Sequence, residues 1–414
     1  MNSVVEKYGR LIFDYAQKNY RLCLREATGA LKEPFIVPGS VYADELWDWD
    51  SWLTGIALFE IADEDISDYE KGCVLNFLDH IQDDGKIPIV IQRIPGKITE
   101  YFSVSKNSHK PCLAQHALLI CQKTGSFEWL RDRFADLEKY VDWYDLTSLH
   151  ESGLYFWQDD FAIGVDNDPC TFYRPPKSSA SIYLNCLMYK ELEAMVSLSD
   201  SFGLKGNREK YSNRMERLRK SIRNHCWDER DGFFYSVDLN LLPIDNSIFL
   251  HSGAPRHWNT IIQRIDVWTG FMPMWAGIAT QEQAERMLSR YLDEKTFNAP
   301  YGVRTLSKLE KMYTVQKTGN PSCWLGPVWG ISNYMVFDGL RKYGFDKEAR
   351  ILAEKTINML GKDIEQCGEM HEYYDPENGL GVNNQGFQNW NLLALIMCKY
   401  LSQYPKYKKQ NGEE

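Results

Sequence analysis

The segment GVDNDP, from Gly164 to Pro169, contains two carboxylates and an amide between a glycine and a proline. Asp and Asn are frequent in turns because their side chains hydrogen-bond the local backbone, so a purely structural role is one interpretation. In the other interpretation, one acid transfers protons together with a distant partner across a cavity. Apolar residues precede Asp166, and such neighbours would raise the pKa of its carboxyl and keep it protonated near neutral pH. Asp168, in the same turn, is the alternative acid.

A second acid, Glu372, lies in the segment HEYYDPENG between a histidine and two tyrosines. The string DPENG is typical of a turn, and we expect Asp375 to serve that turn. Glu372 is therefore the candidate partner of Asp166. Hydrolysis of a glycosidic bond needs such a pair, because one carboxylic acid protonates the leaving oxygen while a second carboxylate acts from the opposite face.

Aromatic residues make up 14% of the chain and include 13 tryptophans. They either fill the core or form pocket walls, where flat rings stack against the faces of sugars. The segment PGSVYADELWDWDSW favours the second use, because its tryptophans alternate with Asp48 and Asp50. A sugar requires this mixture, with rings for its C–H face and carboxylates for its hydroxyls. Asp50 has a structural alternative, as the cap of a helix that begins here.

Helical periodicity predicts twelve helices, separated by segments rich in Gly, Pro, Trp and Asp. No βαβ alternation occurs, so a doubly wound sheet is not favoured. Six helix pairs suit an all-α fold, an (α/α)6 barrel with a loop-built pocket at one end; a helical solenoid is the alternative, but no internal repeat is visible. We expect residues 1–414 to form a single catalytic domain of this kind. The predicted helices cover residues 3–25, 50–62, 66–82, 110–124, 126–147, 178–201, 206–225, 270–279, 281–292, 326–342, 346–366 and 388–403.

Composition and charge exclude several classes of partner. The net charge is −10 and the basic residues are scattered, which argues against a nucleic-acid partner. No stretch approaches about 18 uninterrupted apolar residues, and the first residues lack the pattern of a secretory signal. We therefore expect a cytoplasmic protein without membrane contact, whose ten dispersed cysteines are reduced. Asp375 stands where a second histidine would complete HExxH after His371, so we expect neither a metal nor another cofactor.

Six motifs, in order over about residues 35–400, resemble those of the trehalase-like, clan-G inverting α-glycosidases. These are glycoside hydrolase families 37 and 63, with their bacterial glucosylglycerate and mannosylglycerate hydrolase relatives. PGSVYADELWDWDSW resembles the trehalase signature PGGRF…WDSY, and DGKIP followed by SHKP resembles G-x-I-P and SQPP. GVDNDP is similar to G-M-D-N-S-P of family 63, YGVRTLS to YG-x-x-T/S, CWLGPVWGISNY to YWRGPVW…NY, and HEYYDPENG to E-x-Y-D-x-x-T/E-G.

The resemblance implies an (α/α)6 barrel and hydrolysis with inversion at the anomeric carbon. It carries the general-acid role to Asp166 and the general-base role to Glu372. It also implies that Trp49 and Asp50 hold the glycone, with Trp324 beside them. Further candidate substrate contacts rest partly on loop chemistry, and among them a lone histidine is more often structural than functional. These candidates are Tyr42, Trp47, Gln92, His109, Arg174, Trp329 and Trp390.

Departures from the trehalase motifs concern residues that would grip a disaccharide. Val41 and Leu325 stand where the motifs have arginines, and the RSQPP segment reads NSHKP here. These losses argue against trehalose, so we expect an exo-acting enzyme that releases glucose from another small α-glucoside, a disaccharide or a glucosylglycerate-like compound. Lys110 or Arg174 would meet an anionic aglycone such as glycerate.

Two alternatives stay open. A non-catalytic sugar-binding protein would use the same aromatic residues, but it would not need both Asp166 and Glu372. A sugar epimerase on the same barrel would typically rely on histidines for proton transfer, and the chain has eight, without a visible paired arrangement.

Overall fold

The computed structural model describes residues 3–94, 102, 104–242, 258–316 and 321–403, and this part of the chain is mostly helical. Its α-helices are Ser3–Asn19 (α1), Asp48–Ile61 (α2), Ser67–Asp79 (α3), Leu113–Thr124 (α4), Glu128–Arg131 (α5), Phe134–Thr147 (α6), Ile182–Ser201 (α7), Lys205–His225 (α8), Met272–Trp275 (α9), Gln281–Leu292 (α10), Gly330–Lys342 (α11), Asp346–Cys367 (α12) and Ala394–Gln403 (α13). Short 3-10 helices cover Tyr20–Cys23, Trp268–Phe271 and Asn389–Leu393.

Each of the twelve predicted helices has a counterpart, but several boundaries differ from the prediction. Helix α4 begins at Leu113 rather than at residue 110, because a residue that precedes a proline, as Lys110 does, disfavours helical backbone. Helix α7 begins at Ile182 rather than at residue 178, because Ser179–Ala180 pairs with another strand. The predicted helix over residues 126–147 is broken into α5 and α6.

Six helices contact one another in chain order, α2 with α4, then α7, α9, α11 and α13, and α13 returns to α2. These helices are buried on most sides. In α2, for example, Ile56, Phe59 and Glu60 are the residues that are not fully buried. A helix that is buried all round must be apolar all round, and the sequence LTGIALFEI within α2 fits this requirement.

Several of the helices that alternate with these six in the chain are amphipathic. Helix α8 buries a single stripe, Tyr211, Arg214, Leu218 and Ile222, whose three- and four-residue spacing lies on one face. This face packs against α7, and α12 packs in the same way between α1 and α11. One continuous cluster of buried apolar side chains extends from Val5 to Leu401.

The strands are short and form small antiparallel pairs between the helices. They are Leu24–Arg25 (β1), Phe35–Ile36 (β2), Glu45–Trp47 (β3), Val90–Gln92 (β4), Ser179–Ala180 (β5), Trp227–Asp228 (β6), Phe233–Phe234 (β7), Val237–Asp238 (β8), Ile261–Ile262 (β9), Asn298–Ala299 (β10), Gly302–Val303 (β11), Val328–Trp329 (β12) and Tyr373–Tyr374 (β13). Strand β3 pairs with β4 immediately before α2, and β12 pairs with β13 immediately before α11. These two pairs carry the aromatic and acidic segments singled out from the sequence.

None of the helices in the described part of the chain is both long enough and apolar enough to cross a membrane.

Candidate active site

The loops around α2, α11 and β13 enclose a cavity of about 240 Å³. Eight of the residues in its wall are aromatic, and three carry carboxylates. The lining residues are Tyr42, Trp47, Trp49, Asp50, Ile89, Phe102, Lys110, Ala162, Gly164, Asp166, Pro321, Ser322, Trp324, Trp329, Glu372, Phe387 and Trp390. The two acids predicted to act together, Asp166 and Glu372, therefore face the same cavity although they lie far apart in the chain.

The GVDNDP turn directs each of its polar side chains to a different place. Asp166 is half-buried and lines the cavity. Asn167 accepts a hydrogen bond from the backbone N–H of Trp324 at 2.7 Å, which ties the turn to the tryptophan wall. Asp168 lies off the cavity wall, where it accepts a hydrogen bond from the Thr171 hydroxyl at 2.9 Å, and burial raises its pKa to about 6. Of the two acids in this turn, Asp166 is thus the one that reaches the cavity.

Gly164 explains why this turn begins with a glycine. Its φ of +91° lies in the left-handed region that other residues avoid. A Cβ at this position would also lie 2.5 Å from Lys110 Cε and 3.0 Å from Trp49 Cζ2. The glycine therefore lets the turn pack directly against the floor of the cavity.

Glu372 is held by its own hairpin and by two asparagines that follow it. The backbone N–H of Glu372 donates to the carbonyl of Asn383 at 2.9 Å. The Oε2 atom of Glu372 accepts from the side-chain amides of Asn383 at 3.0 Å and Asn384 at 2.7 Å. Asn384 also donates to the Tyr42 hydroxyl at 3.0 Å. The prediction for Asp375 is confirmed, because its carboxylate accepts the backbone N–H groups of residues 377 and 378 in the turn.

Stacked tryptophans form one side of the cavity. The rings of Trp324 and Trp329 are nearly parallel, with centroids 3.9 Å apart, and Tyr373 continues the stack 4.8 Å from Trp329. The ring centroid of Trp49 lies 6.3 Å from that of Trp324 and 5.6 Å from that of Trp390. This wall combines apolar faces with nearby carboxylates, which is the mixture that a sugar ring requires.

Lys110 reaches the cavity floor with its charge already balanced. Its ammonium contacts both oxygens of Asp48, at 2.8 and 2.9 Å, and its backbone N–H donates to the same carboxylate at 3.0 Å. Both side chains are almost completely buried. The ammonium also lies 5.2 Å from the centre of the Trp49 ring, within range of a cation–π contact. The ion pair thus holds the Lys110 ammonium against the Trp49 ring.

Asp50 faces the cavity and does not cap α2. Its carboxyl accepts a hydrogen bond from the Asn389 amide, whereas Asp48 accepts the backbone N–H of Trp49 at the start of the helix. Burial, and secondly the charge of Asp48, raise the pKa of Asp50 to about 8. The capping interpretation of Asp50 is therefore wrong. Its carboxyl binds the side chain of Asn389, which lies far away in the sequence, and none of the described side chains caps the start of α2.

The structure does not bring Gln92, His109 or Arg174 to the cavity wall. Gln92 donates to Glu45 at 3.3 Å. His109 is buried with its Nδ1 atom 2.7 Å from the carbonyl of Lys110, and burial lowers its pKa to about 4. Arg174 pairs with Asp238. The contacts described for these three residues are with other protein groups, and their role in substrate binding stays a prediction.

The other predicted contacts, Tyr42, Trp47, Trp49, Asp50, Trp324, Trp329 and Trp390, all line the cavity. Sequence reasoning missed Asn383 and Asn384, which read only as polar loop residues in GVNNQG. It also missed Phe102 and Phe387, two lining rings that stand outside the tryptophan clusters.

Comparisons with known proteins find relatives among the glycoside hydrolases. A family model described as the mannosylglycerate hydrolase MGH1-like glycoside hydrolase domain matches residues 43–390. A mannosylglycerate hydrolase of Selaginella moellendorffii is 31% identical over 233 residues, which cover 55% of this chain and 40% of that protein. The cytosolic neutral trehalase of Kluyveromyces lactis is 23% identical over 457 residues, which cover 90% of this chain and 57% of that protein. The chain thus spans about half the length of the curated relatives it matches.

Solved structures show the same fold. A mannosylglycerate hydrolase of glycoside hydrolase family 63 from Thermus thermophilus, in complex with glucose, aligns with a TM-score of 0.66 at 20% identity. The alignment covers 94% of this chain and 98% of that one. Neutral trehalase from Saccharomyces cerevisiae aligns with a TM-score of 0.64 at 19% identity, over 95% and 82% of the two chains. The resemblance to trehalase-like glycosidases that the sequence motifs indicate is confirmed.

Proposed function

This chain belongs to the mannosylglycerate hydrolase MGH1-like family of glycoside hydrolases, and from that premise we propose that it is an exo-acting, inverting α-glycoside hydrolase. The observation that carries the proposal is that Asp166 and Glu372 line one aromatic cavity. A binding protein would need the rings but not two acids aimed at the same space.

In the proposed mechanism, Asp166 is the general acid and Glu372 the general base. Asp166 donates its proton to the glycosidic oxygen as the bond to the anomeric carbon breaks. Glu372 removes a proton from a water molecule that attacks the opposite face of the sugar ring. The product of an α-linked substrate is then the β-anomer. The two amides on Glu372 support this role, because hydrogen bonds to a carboxylate favour its ionised form.

The aromatic wall is the proposed site of the glycone. Trp49, Trp324 and Asp50 contact it in this proposal, with Tyr42, Trp47, Trp329 and Trp390 around them; all seven line the cavity. Asp50 suits a donor role near neutral pH, since a carboxyl with a pKa of about 8 is largely protonated there and can donate to a sugar hydroxyl.

Small α-glucosides are the substrates that we propose first. An α-mannoside of glycerate is the second candidate, because the matching family model and several relatives are named for mannosylglycerate hydrolysis. Lys110 is the lining residue that would meet a glycerate carboxylate, but Asp48 already balances its charge. This pairing weighs towards a neutral aglycone.

We further propose that the helices form an (α/α)6 barrel within a single catalytic domain. The support is the order of contacts, in which six helices meet in succession and the sixth returns to the first. The continuous buried cluster from Val5 to Leu401 supports one domain. A cytoplasmic location is proposed from the cytosolic relative and from the cysteines, eight of which are buried as free thiols.

The test is a panel of α-glucosides and α-mannosides with neutral and carboxylate-bearing aglycones, assayed for released monosaccharide. Proton NMR during the first turnovers reports which anomer forms. We expect β-glucose from a neutral α-glucoside, and strongly reduced release by Asp166→Asn and by Glu372→Gln. Binding without release would favour a sugar-binding protein, and an isomerised sugar without water uptake would favour an epimerase. Initial α-anomer would refute inversion.

A further inference from the structure

We propose that Asn383 and Asn384 are positioning residues, which hold the carboxylate of Glu372 ionised and fixed in orientation towards the cavity. This inference rests on the proposed function, and it concerns residues that neither the sequence motifs nor the comparisons assign.

The first observation is that both amides bind the same oxygen. Asn383 Nδ2 and Asn384 Nδ2 lie 3.0 and 2.7 Å from Glu372 Oε2. Two donors that converge on one oxygen from consecutive residues restrict rotation of the carboxylate. They also favour its charged form over its protonated form. Both effects suit a base that must accept a proton from water.

The second observation is that Asn383 is itself held in place by Glu372. Its carbonyl accepts the backbone N–H of Glu372 at 2.9 Å, and the neighbouring Val382 N–H donates to the carbonyl of Tyr373 at the same distance. Asn383 and Glu372 therefore face each other across a hairpin, joined by one backbone and one side-chain hydrogen bond. The hairpin, whose two strands are connected by the turn at Asp375, therefore holds the Asn383 amide next to Glu372.

The third observation concerns Asn384, whose amide bridges two segments of the chain. Besides its bond to Glu372, it donates to the Tyr42 hydroxyl at 3.0 Å. Asn384 and Tyr42 both have positive φ values, +46° and +60°. Asn tolerates this conformation better than most residues do. Backbone strain of this kind persists where the surrounding contacts hold the chain in the strained conformation.

Backbone contacts supply that support. Ser40 Oγ donates to the carbonyl of Gly386 at 3.1 Å, and the N–H groups of Gln388 and Asn389 donate to the carbonyl of Pro38. The segment 38–42 and the segment 384–389 are thus joined at several points. Through its hydrogen bonds to Tyr42 and Glu372, Asn384 connects these joined segments to the proposed base.

The test uses the whole chain and the pH dependence of kcat/KM, whose acid limb reports the ionisation of the base in the free enzyme. Asp50 faces the same cavity, and its charge and that of Glu372 act on each other. Because Asp50 is unchanged in every variant, a shift of the limb relative to the wild type reports the substituted residue. Asn383→Ala and Asn384→Ala are each expected to move the acid limb up by about one pH unit and to lower kcat by about tenfold. Asn384→Asp should move the limb further in the same direction, because a like charge next to Glu372 disfavours its ionisation.

Two controls separate positioning from general loosening of the loop. Gln385→Ala removes an exposed amide from the next position, and its limb should coincide with that of the wild type. Tyr42→Phe removes one partner of Asn384 but leaves the bond to Glu372, so it should lower kcat without moving the limb. Thermal unfolding verifies that each variant folds. Since Asn383 supports the hairpin, Asn384→Ala decides the question if Asn383→Ala does not fold.

The inference is overturned if the limbs of the alanine variants coincide with the wild-type limb, or if Tyr42→Phe moves the limb as far as Asn384→Ala does. These outcomes differ from a failure of the proposed function, in which the wild-type protein itself would release no sugar from any member of the panel.

Discussion

The ion pair between Lys110 and Asp48 under the cavity gives the most quantitative prediction. We consider Lys110→Met, which keeps most of the side-chain volume and removes the charge. The side chains of Lys110 and Asp48 are 2% and 0% exposed, so the substitution leaves a carboxylate buried without its cation. Breaking a buried pair by removing one partner costs about 3–5 kcal/mol.

The lower end of that range applies here, because Asp48 keeps two backbone donors, the N–H groups of residues 49 and 110. We therefore expect the free energy of unfolding to fall by about 3 kcal/mol. Trp49 also loses the ammonium 5.2 Å from its ring, so KM should rise.

Urea denaturation followed by tryptophan fluorescence measures the change. The matched control is Lys123→Met, since Lys123 contacts Glu60 at 2.8 Å but is 38% exposed. An exposed pair contributes about 0–1 kcal/mol, so this variant should be nearly as stable as the wild type. The double variant Asp48→Asn, Lys110→Met should recover a large part of the loss, because it leaves no buried charge. Equal stabilities of Lys110→Met and Lys123→Met would refute the reasoning.

Three further predictions concern the acids and the turn. Asp166→Asn and Glu372→Gln should each lower kcat by at least about 10²–10⁴-fold with smaller changes in substrate binding, as measured by steady-state kinetics and calorimetry; an active Asp166→Asn would move the acid role elsewhere. Asp168 has a folded-state pKa of about 6, above its ordinary value of 3.8, so its contribution to stability is present below about pH 4 and is lost as the pH rises through 6. The total loss of stability amounts to about 3 kcal/mol, and Asp168→Asn should abolish this pH dependence in denaturation curves measured between pH 4 and 7 while turnover persists. Gly164→Ala should destabilise the fold by about 1–3 kcal/mol and lower kcat, because alanine is strained at this φ and its methyl group would press on Lys110 and, less closely, on Trp49; unchanged melting and turnover would contradict that account.

The sequence predicts the helices well because their apolar residues form local patterns, either a periodic stripe or a continuous apolar run. The apolar stripe on α8 and the apolar surface of α2 can both be recognised in the amino-acid sequence. The predicted helix boundaries are wrong where non-local strand pairing overrides local helix propensity. Ser179–Ala180, for example, pairs with a strand almost sixty residues away. Such pairing leaves no local signature in the chain.

The acids of the cavity could be predicted because their motifs are local, whereas their surroundings could not. The choice between capping and cavity for Asp50 depends on Asn389, more than three hundred residues away. Whether Lys110 can bind an anionic aglycone depends on its pairing with Asp48. The hydrogen bonds to Glu372 come from two consecutive asparagines, which look like ordinary polar loop residues in the sequence. Each of these contacts is set by the fold and not by spacing in the sequence.

The junction between Pro38 and the segment that ends at Asn389 has a consequence for biosynthesis. A ribosome that adds about 5–20 residues per second needs about 18–70 s to extend the chain from Pro38 to Asn389. Until Glu372 and Asn389 have both been added, the chain lacks the proposed base, the partner of Asp50 or both, even when most of its helices have emerged. The cavity, and with it the proposed hydrolytic site, is therefore completed only after most of the helices around it have been synthesised.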